Sequence, residues 1–306
     1  MKAFEFVASV SNKEVLDGVD IGYFDSIYLG QPYCLKFKGN FLANPKDIET
    51  AVVRLQAAGK RAYLTTPAIP KGKDLLSVEK AIEAAVRAGI DGIEVHDVGI
   101  FRIVKNDWPD VRIHIGNFVN VYNEKSAGLY RRLGAARIVP SHELAGDELS
   151  IVAQTKDVEF ERPIHGPLPL GMSYACLLRK EGDGEDLGPC VQQCSDDLYL
   201  ELDGWRMRTV GTSLLMGEEY SLIEHLRSLM SLNIAAFRLE TYFDSAEKIN
   251  ILGKIYRQVL DRAMTGRGPG IEQVTAVKEL AGGRLCNGWH FGKSGRDYVG
   301  ADEACV

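Results

Sequence analysis

The feature that most restricts how this chain can fold is a repeated unit. An amphipathic helix is followed by a small residue and a glycine, and then by a short strand of β-branched and aliphatic residues. Ile48, Val52 and Leu55 fall on one helical face. Asn44-Pro45 reads as a cap and first-turn proline before them, and Ala58-Gly59 closes the helix. A strand over 61–66 follows. Val78, Ile82 and Ala85 form the next face, Ala88-Gly89 ends it, and 92–96 is the next strand. The unit returns at Leu133-Gly134 before a strand over 136–139. It appears in variant form at Leu232-Asn233 before 236–239, where asparagine is expected to take the left-handed role of glycine. Strands over 4–7, 26–29, 112–115 and 160–164 bring the set to eight. Strands that alternate with helices imply a parallel sheet. Eight such units predict an α/β fold of the (β/α)8 TIM-barrel-like class, with a doubly wound open sheet as the alternative.

The barrel is assigned to residues 1–264. It includes a cysteine-containing insertion after strand seven, 173–210, with its own hairpin over 198–202 and 206–208 turning at Asp203-Gly204. The segment 265–306 is expected to be a C-terminal extension packed on the barrel. It opens with the linker-like Gly266-Arg267-Gly268-Pro269-Gly270, continues as a helix over 271–280 and ends in a polar tail. The chain has 306 residues, ordinary globular composition and a net charge of −6. An acidic balance argues against a sequence-independent nucleic-acid partner, because such binders present a basic face. The N-terminus has no basic leader running into an apolar core, and no apolar run approaches the ~18 residues that would span a bilayer. The expectation is therefore a cytoplasmic protein without a membrane span. In that compartment clustered cysteines point to metal or redox chemistry in preference to disulfides.

In a parallel barrel, functional groups gather at the C-terminal ends of the strands. Those ends carry Gly30, Thr66, His96 with Asp97, Asn117, Ser141-His142-Glu143, His165 with Gly166, and Glu240. His165, His96, Glu143 and Glu240 are the candidate proton-transfer groups, and Asn117 and His142 the candidate substrate-binding ones. The plainer reading of His142 and Glu143 is a helix N-terminus capped by Ser141. Arg238 and Glu240 alternate on one strand, so both point to the same side and are expected to pair inside. No G-x-S-x-G elbow, H-E-x-x-H helix or P-loop is present.

Three of the six cysteines, Cys176, Cys190 and Cys194, lie close together as C-x13-C-x3-C. Cys34 follows strand two and Cys176 follows strand seven, so both fall in loops on the same rim. The four thiolates Cys34, Cys176, Cys190 and Cys194 suit a [4Fe–4S] cluster or a structural zinc on ligand count, and the wide spread favours the cluster. Cys286 is read as a buried thiol and Cys305 as a solvated tail thiol.

The stretches HGPLPLGMSYACLLRK, GPCVQQC, SLIEHLRSLMSLNIAAFRLETYF and YRQVLDRA resemble the U-32 peptidase-like family. That family is marked by H-G-x-L, S-x-x-C, C-x-x-x-C and a late strand with R/K-x-E. The early DSIYLGQPYCLKFK and the late CNGWH make the chain most similar to its UbiV-like branch of oxygen-independent ubiquinone-hydroxylation proteins. The resemblance implies a (β/α)8-like barrel and a [4Fe–4S] cluster on Cys34, Cys176, Cys190 and Cys194. It also implies a heterodimer with a UbiU-like sister protein. The implied substrate is a small molecule, a quinone precursor hydroxylated without dioxygen, with prephenate as the oxygen source. Other branches hydroxylate RNA bases or were named as peptidases, which supplies the alternatives. The acidic, glycine-rich EGDGEDLG between Cys176 and Cys190 departs from the family pattern and bears on the substrate more than on the cluster.

Overall fold

A computed structural model describes residues 4–178, 198–301 and 303. Cys190, Cys194, Cys305 and the EGDGEDLG insert lie outside the described residues.

Seven strands follow the chain in order: β1 Glu5–Val10, β2 Ser26–Leu29, β3 Arg61–Thr65, β4 Gly92–Val95, β5 Ile113–Ile115, β6 Arg137–Ile138 and β7 Glu159–Gly166. Each pairs in parallel with the next. After β7 the chain leaves the barrel for an antiparallel sheet of β8 Pro169–Met172, β9 Tyr199–Leu202, β10 Trp205–Val210 and β11 Ser213–Met216. The short β12 Glu219–Ser221 returns antiparallel to β7, and β13 Ala236–Leu239 then pairs in parallel with both β7 and β1. That double pairing closes an eight-stranded parallel barrel. The open-sheet alternative is thereby excluded, and all eight expected strands are present.

The insertion sheet is wider than the expected 173–210, because β8 and β11 lie outside those bounds. Its β9–β10 hairpin turns where expected, with Asp203 and Gly204 at φ 50° and 79°, the paired positive angles of a two-residue hairpin turn.

Helices cover the outside: α1 Lys13–Gly18, α2 Pro45–Ala57, α3 Leu75–Arg87, α4 Val98–Asp107, α5 Glu124–Leu133, α6 Gly146–Val152, the short α7 Leu226–Leu229 and α8 Ala246–Met264. Their apolar stripes meet the outward faces of the strands in one core that includes Ile48, Val52, Leu55, Val78, Ile82 and Tyr256. Gly134 ends α5 at φ 98°, as the repeat predicts. Two local expectations are corrected and a third is borne out in position. Asn233 is not left-handed; its amide instead donates to Ala153 O at 3.0 Å, which ties the turn to the end of α6. Asn44 stands at the N-cap of α2 ahead of Pro45, as expected, but its side chain accepts no capping bond and its amide donates to Asp47. Ser141 does not cap α6, which begins at Gly146; its hydroxyl accepts the near-by Glu143 N–H at 3.3 Å.

After α8 comes α9 Ile271–Leu280, then β14 Leu285–Cys286 parallel to β12. Asn287 exchanges hydrogen bonds with Val299, and Trp289 packs its ring 5.1 Å from that of His142. No helix among the described residues is long and apolar enough to cross a membrane.

Candidate active site at the C-terminal rim of the barrel

The barrel interior is charged, although interiors of this kind are ordinarily filled by branched aliphatic side chains. Glu5, Glu94, Glu161 and Glu240 are buried there with the guanidinium groups of Arg137 and Arg238. Arg137 lies at the lower end and pairs with Glu5 and with Glu161 (2.9 Å). Arg238 is the pivot above it. Its Nη1 is 2.9 Å from Glu94 Oε1, and its Nε is 3.0 Å from both Glu161 Oε1 and Glu240 Oε1. The expected Arg238–Glu240 pair is thus present, inside a larger network. Tyr28 fills the middle, bonded to His114 Nδ1 at 2.7 Å and donating to Glu161 at 3.1 Å.

Four buried carboxyls against two buried guanidiniums leave an excess of negative charge, and the carboxyls respond differently. Burial would push Glu94 up, but Arg238 and His96 outweigh it and hold that carboxyl well below the usual range. For Glu240 burial prevails over Arg238 and pushes the carboxyl up to about 7; Glu94 and Glu161 push the same way. Two neighbouring carboxyls held apart in this manner are the usual basis of acid–base pairs.

His96 and Glu240 belong to this mouth. His96 Nε2 lies 3.3 Å from Glu94 Oε2 and 3.2 Å from Thr65 Oγ1, and Thr65 in turn donates to Glu94. Two glycines allow the arrangement. A Cβ on Gly116 would sit 2.1 Å from His96 Nδ1, and one on Gly166 would sit 2.3 Å from the Glu240 carbonyl. Tyr33, Tyr242, Phe118 and Phe243 close the mouth above, with Phe118 edge-on to His96 at 5.3 Å. Glu94, Thr65 and Gly116 were missed at the level of sequence, whereas Gly166 was read at a strand end beside His165. The available signal was a charged residue at an inward position of a short strand, as in Gly92-Ile93-Glu94-Val95.

Beside this aromatic cover, Cys34 and Cys176 line one cavity of about 220 Å³ together with Tyr33, Lys36, Lys71, Lys73 and Thr212. The Cys34 loop is stapled by two buried amides. Gln31 accepts the N–H groups of Tyr33 and Cys34 and donates to Cys34 O at 2.6 Å, while Asn40 donates to the same carbonyl at 3.1 Å. Among the described residues no three histidine, cysteine or carboxylate side chains converge on a metal-sized site; two of the four expected thiolates are outside those residues. The two that are described fit a shared centre, since they face the same cavity.

A neighbouring cavity of about 310 Å³ shares Ile69 with the first and is lined by Asn117, Phe118, Tyr122, His142 and Glu143. The expected substrate residues Asn117 and His142 therefore meet, with Glu143 beside them. His142 Nε2 donates to Pro169 O at 2.8 Å, while burial and then Arg162 lower the imidazole to about 3. The ring is neutral at pH 7, and its buried Nδ1 has no hydrogen-bond partner.

His165 lies apart from both groups. Its Nε2 is 2.9 Å from Glu219 and its Nδ1 3.1 Å from the Tyr256 hydroxyl on α8, and Glu219 also pairs with Lys248. The cause is a slip in register. β7 matches Pro163 to Arg238 but His165 to Leu239, so the extra residue turns His165 outward with Leu239. Ser221, His165 and Glu219 have the composition of a hydrolase triad, but Tyr256 stands between the serine and the histidine at 2.9 Å and 3.1 Å. Cys286 is buried against Met216, as expected.

A sequence model of Peptidase family U32 matches residues 17–299. The chain is 24% identical over 85% of its length to the 23S rRNA 5-hydroxycytidine C2501 synthase of Escherichia coli (strain K12), of which it spans 39%. It is 26% identical over 84% of its length to tRNA hydroxylation protein P1 of Bacillus subtilis (strain 168), of which it spans 63%. Among solved structures, the N-acetylneuraminate lyase of Fusobacterium nucleatum superposes with a TM-score of 0.51 at 10% identity, covering 90% of this chain and 80% of that one. At that identity the likeness is one of fold.

Proposed function

The chain belongs to peptidase family U32, and from that premise we propose that it is an iron–sulfur protein of oxygen-independent hydroxylation. Cys34, Cys176, Cys190 and Cys194 hold a [4Fe–4S] cluster in this reading. The substrate is a small aromatic quinone precursor, and a UbiU-like sister subunit completes a heterodimer. The observation that carries the proposal is the one cavity that Cys34 and Cys176 both line, although they come from loops after the second and the seventh barrel strands. Family relatives named for hydroxylation support the reaction class.

A bound cluster would supply electron transfer at the rim. The chain's own residues do the rest. Asn117, His142 and Glu143 offer hydrogen bonds to a polar ring in the adjoining cavity. Glu240 exchanges a proton near neutral pH, with His96 and Glu94 fixing the charge around it. The aromatic cover of Tyr33, Tyr242 and Phe118 keeps water from the mouth.

The names of the relatives favour a second substrate, an RNA base, and the lysines beside the cysteine cavity would suit its phosphates. The net charge of −6 weighs toward the small molecule.

Anaerobic purification with iron and acid-labile sulfide analysis tests the cofactor. Iron and sulfide in equal amounts that are lost in Cys34→Ser support it, whereas zinc without sulfide replaces it with a structural metal. Mass spectrometry of a phenolic quinone precursor and of RNA, each incubated without dioxygen with chain, sister subunit and prephenate as the oxygen donor, separates the two substrates by which one gains an oxygen atom.

A further inference from the structure

Cys34 and Cys176 are joined by a third element that the cluster reading does not use. The turn between β10 and β11, at Gly211-Thr212, touches both cysteine loops. Toward the first, Thr212 Oγ1 donates to Tyr33 O at 3.0 Å. A Cβ built on Gly211 would stand 3.0 Å from Cys34 Cβ and 3.2 Å from its Sγ. Toward the second, Gly211 O accepts the N–H of Leu177 at 2.9 Å, and Thr212 O accepts the N–H of Ser173 at 2.7 Å. Ser173 and Leu177 bracket Cys176. One two-residue turn therefore holds one cysteine loop by a side chain and a bare Cα, and the other by two carbonyls.

We propose that the Gly211-Thr212 turn is a positioning element that sets the separation of Cys34 and Cys176. The insertion sheet is then more than a decoration of the barrel. It carries the turn to the rim and fixes two thiolates that sequence places far apart. The glycine has a specific reason to be there. Its φ is +59°, and a side chain would press on Cys34 at 3.0 Å. The threonine hydroxyl has one too, since it spans from the insertion to the β2 loop. The value of this separation for a cofactor rests on the cluster reading above; the positioning itself does not.

The test uses the full chain carrying Cys190→Ser, Cys194→Ser and Cys305→Ser, so that Cys34 and Cys176 are the accessible thiols and Cys286 stays buried. Dibromobimane, which becomes strongly fluorescent when it joins two nearby thiols, reads their proximity. The background protein is expected to bridge. Thr212→Val, which keeps shape and loses the hydroxyl, is expected to slow bridging about fivefold, as the loss of one hydrogen bond would. Gly211→Ala is expected to slow it further. If Gly211→Ala does not fold, as judged by circular dichroism, Thr212→Val decides. No bridging in the background, or equal rates in Thr212→Val, would overturn the proposal. Iron content of the chain with all cysteines, measured for wild type and Thr212→Val, separates the two ideas. Wild type without iron but with turn-dependent bridging removes the cluster and leaves the positioning role standing.

Discussion

Glu94 and Glu240 are held by the same guanidinium: Arg238 reaches the first through Nη1 at 2.9 Å and the second through Nε at 3.0 Å. The inner carboxyl is kept charged and the outer one holds its proton to near neutrality.

Stability should therefore fall as pH rises from about 4.5 to about 7 on account of Glu240. Its folded carboxyl binds a proton that the unfolded chain has already lost, so its contribution is complete at low pH and gone above about 7. The shift corresponds to about 3 kcal/mol at most. Glu240→Gln should remove this descending limb in urea melts between pH 5 and 8. Glu94 works in the opposite direction, with its contribution lost only as pH falls below the ordinary carboxylate range.

Arg238→Met should destabilise the chain by about 3–5 kcal/mol, because Glu94, Glu161 and Glu240 would be left buried around an uncharged side chain. Arg238→Met combined with Glu240→Gln should recover part of that loss. Additive losses in denaturant melts would argue against a shared network.

Gly116→Ala should displace His96, since the added carbon would overlap its ring. The cost should be about 1–3 kcal/mol, as for overpacking elsewhere, with little change expected for Gly59→Ala by steric contact, where nothing lies within 4 Å and only the positive φ opposes the change. The ring signals of His96 in NMR spectra should shift in the first variant and not in the second.

His142 should stay neutral from pH 8 to pH 5. Its folded imidazole is lowered to about 3, so it stabilises the protein above the ordinary histidine range and loses that contribution as pH falls toward 3. Its imidazole nitrogen shifts should be constant over that interval and should move when a donor-bearing ring occupies the cavity.

Much of this was legible locally. The apolar spacing of Ile48, Val52 and Leu55, and the glycine after α5, mark helices and strands because those patterns depend only on near neighbours. The pairing of Arg238 with Glu240 could be read from alternation on one strand. His165 could not be placed, because its direction depends on one extra residue in β7 relative to β13, and no local pattern records a slip between strands. Glu94 was passed over because its partners come from β3 and β13.

By itself, then, the sequence determined the eight alternating units, hence the barrel, and the rim on which Cys34, Cys176, His96 and Glu240 fall. Only the tertiary structure decided which of these meet. It joined His96 to Glu240 through Glu94 and a buried arginine, sent His165 to a different cluster and brought the Gly211-Thr212 turn between two cysteine loops. Periodicity is a property of neighbouring residues, whereas a shared cavity or a shared charge is a property of chain closure.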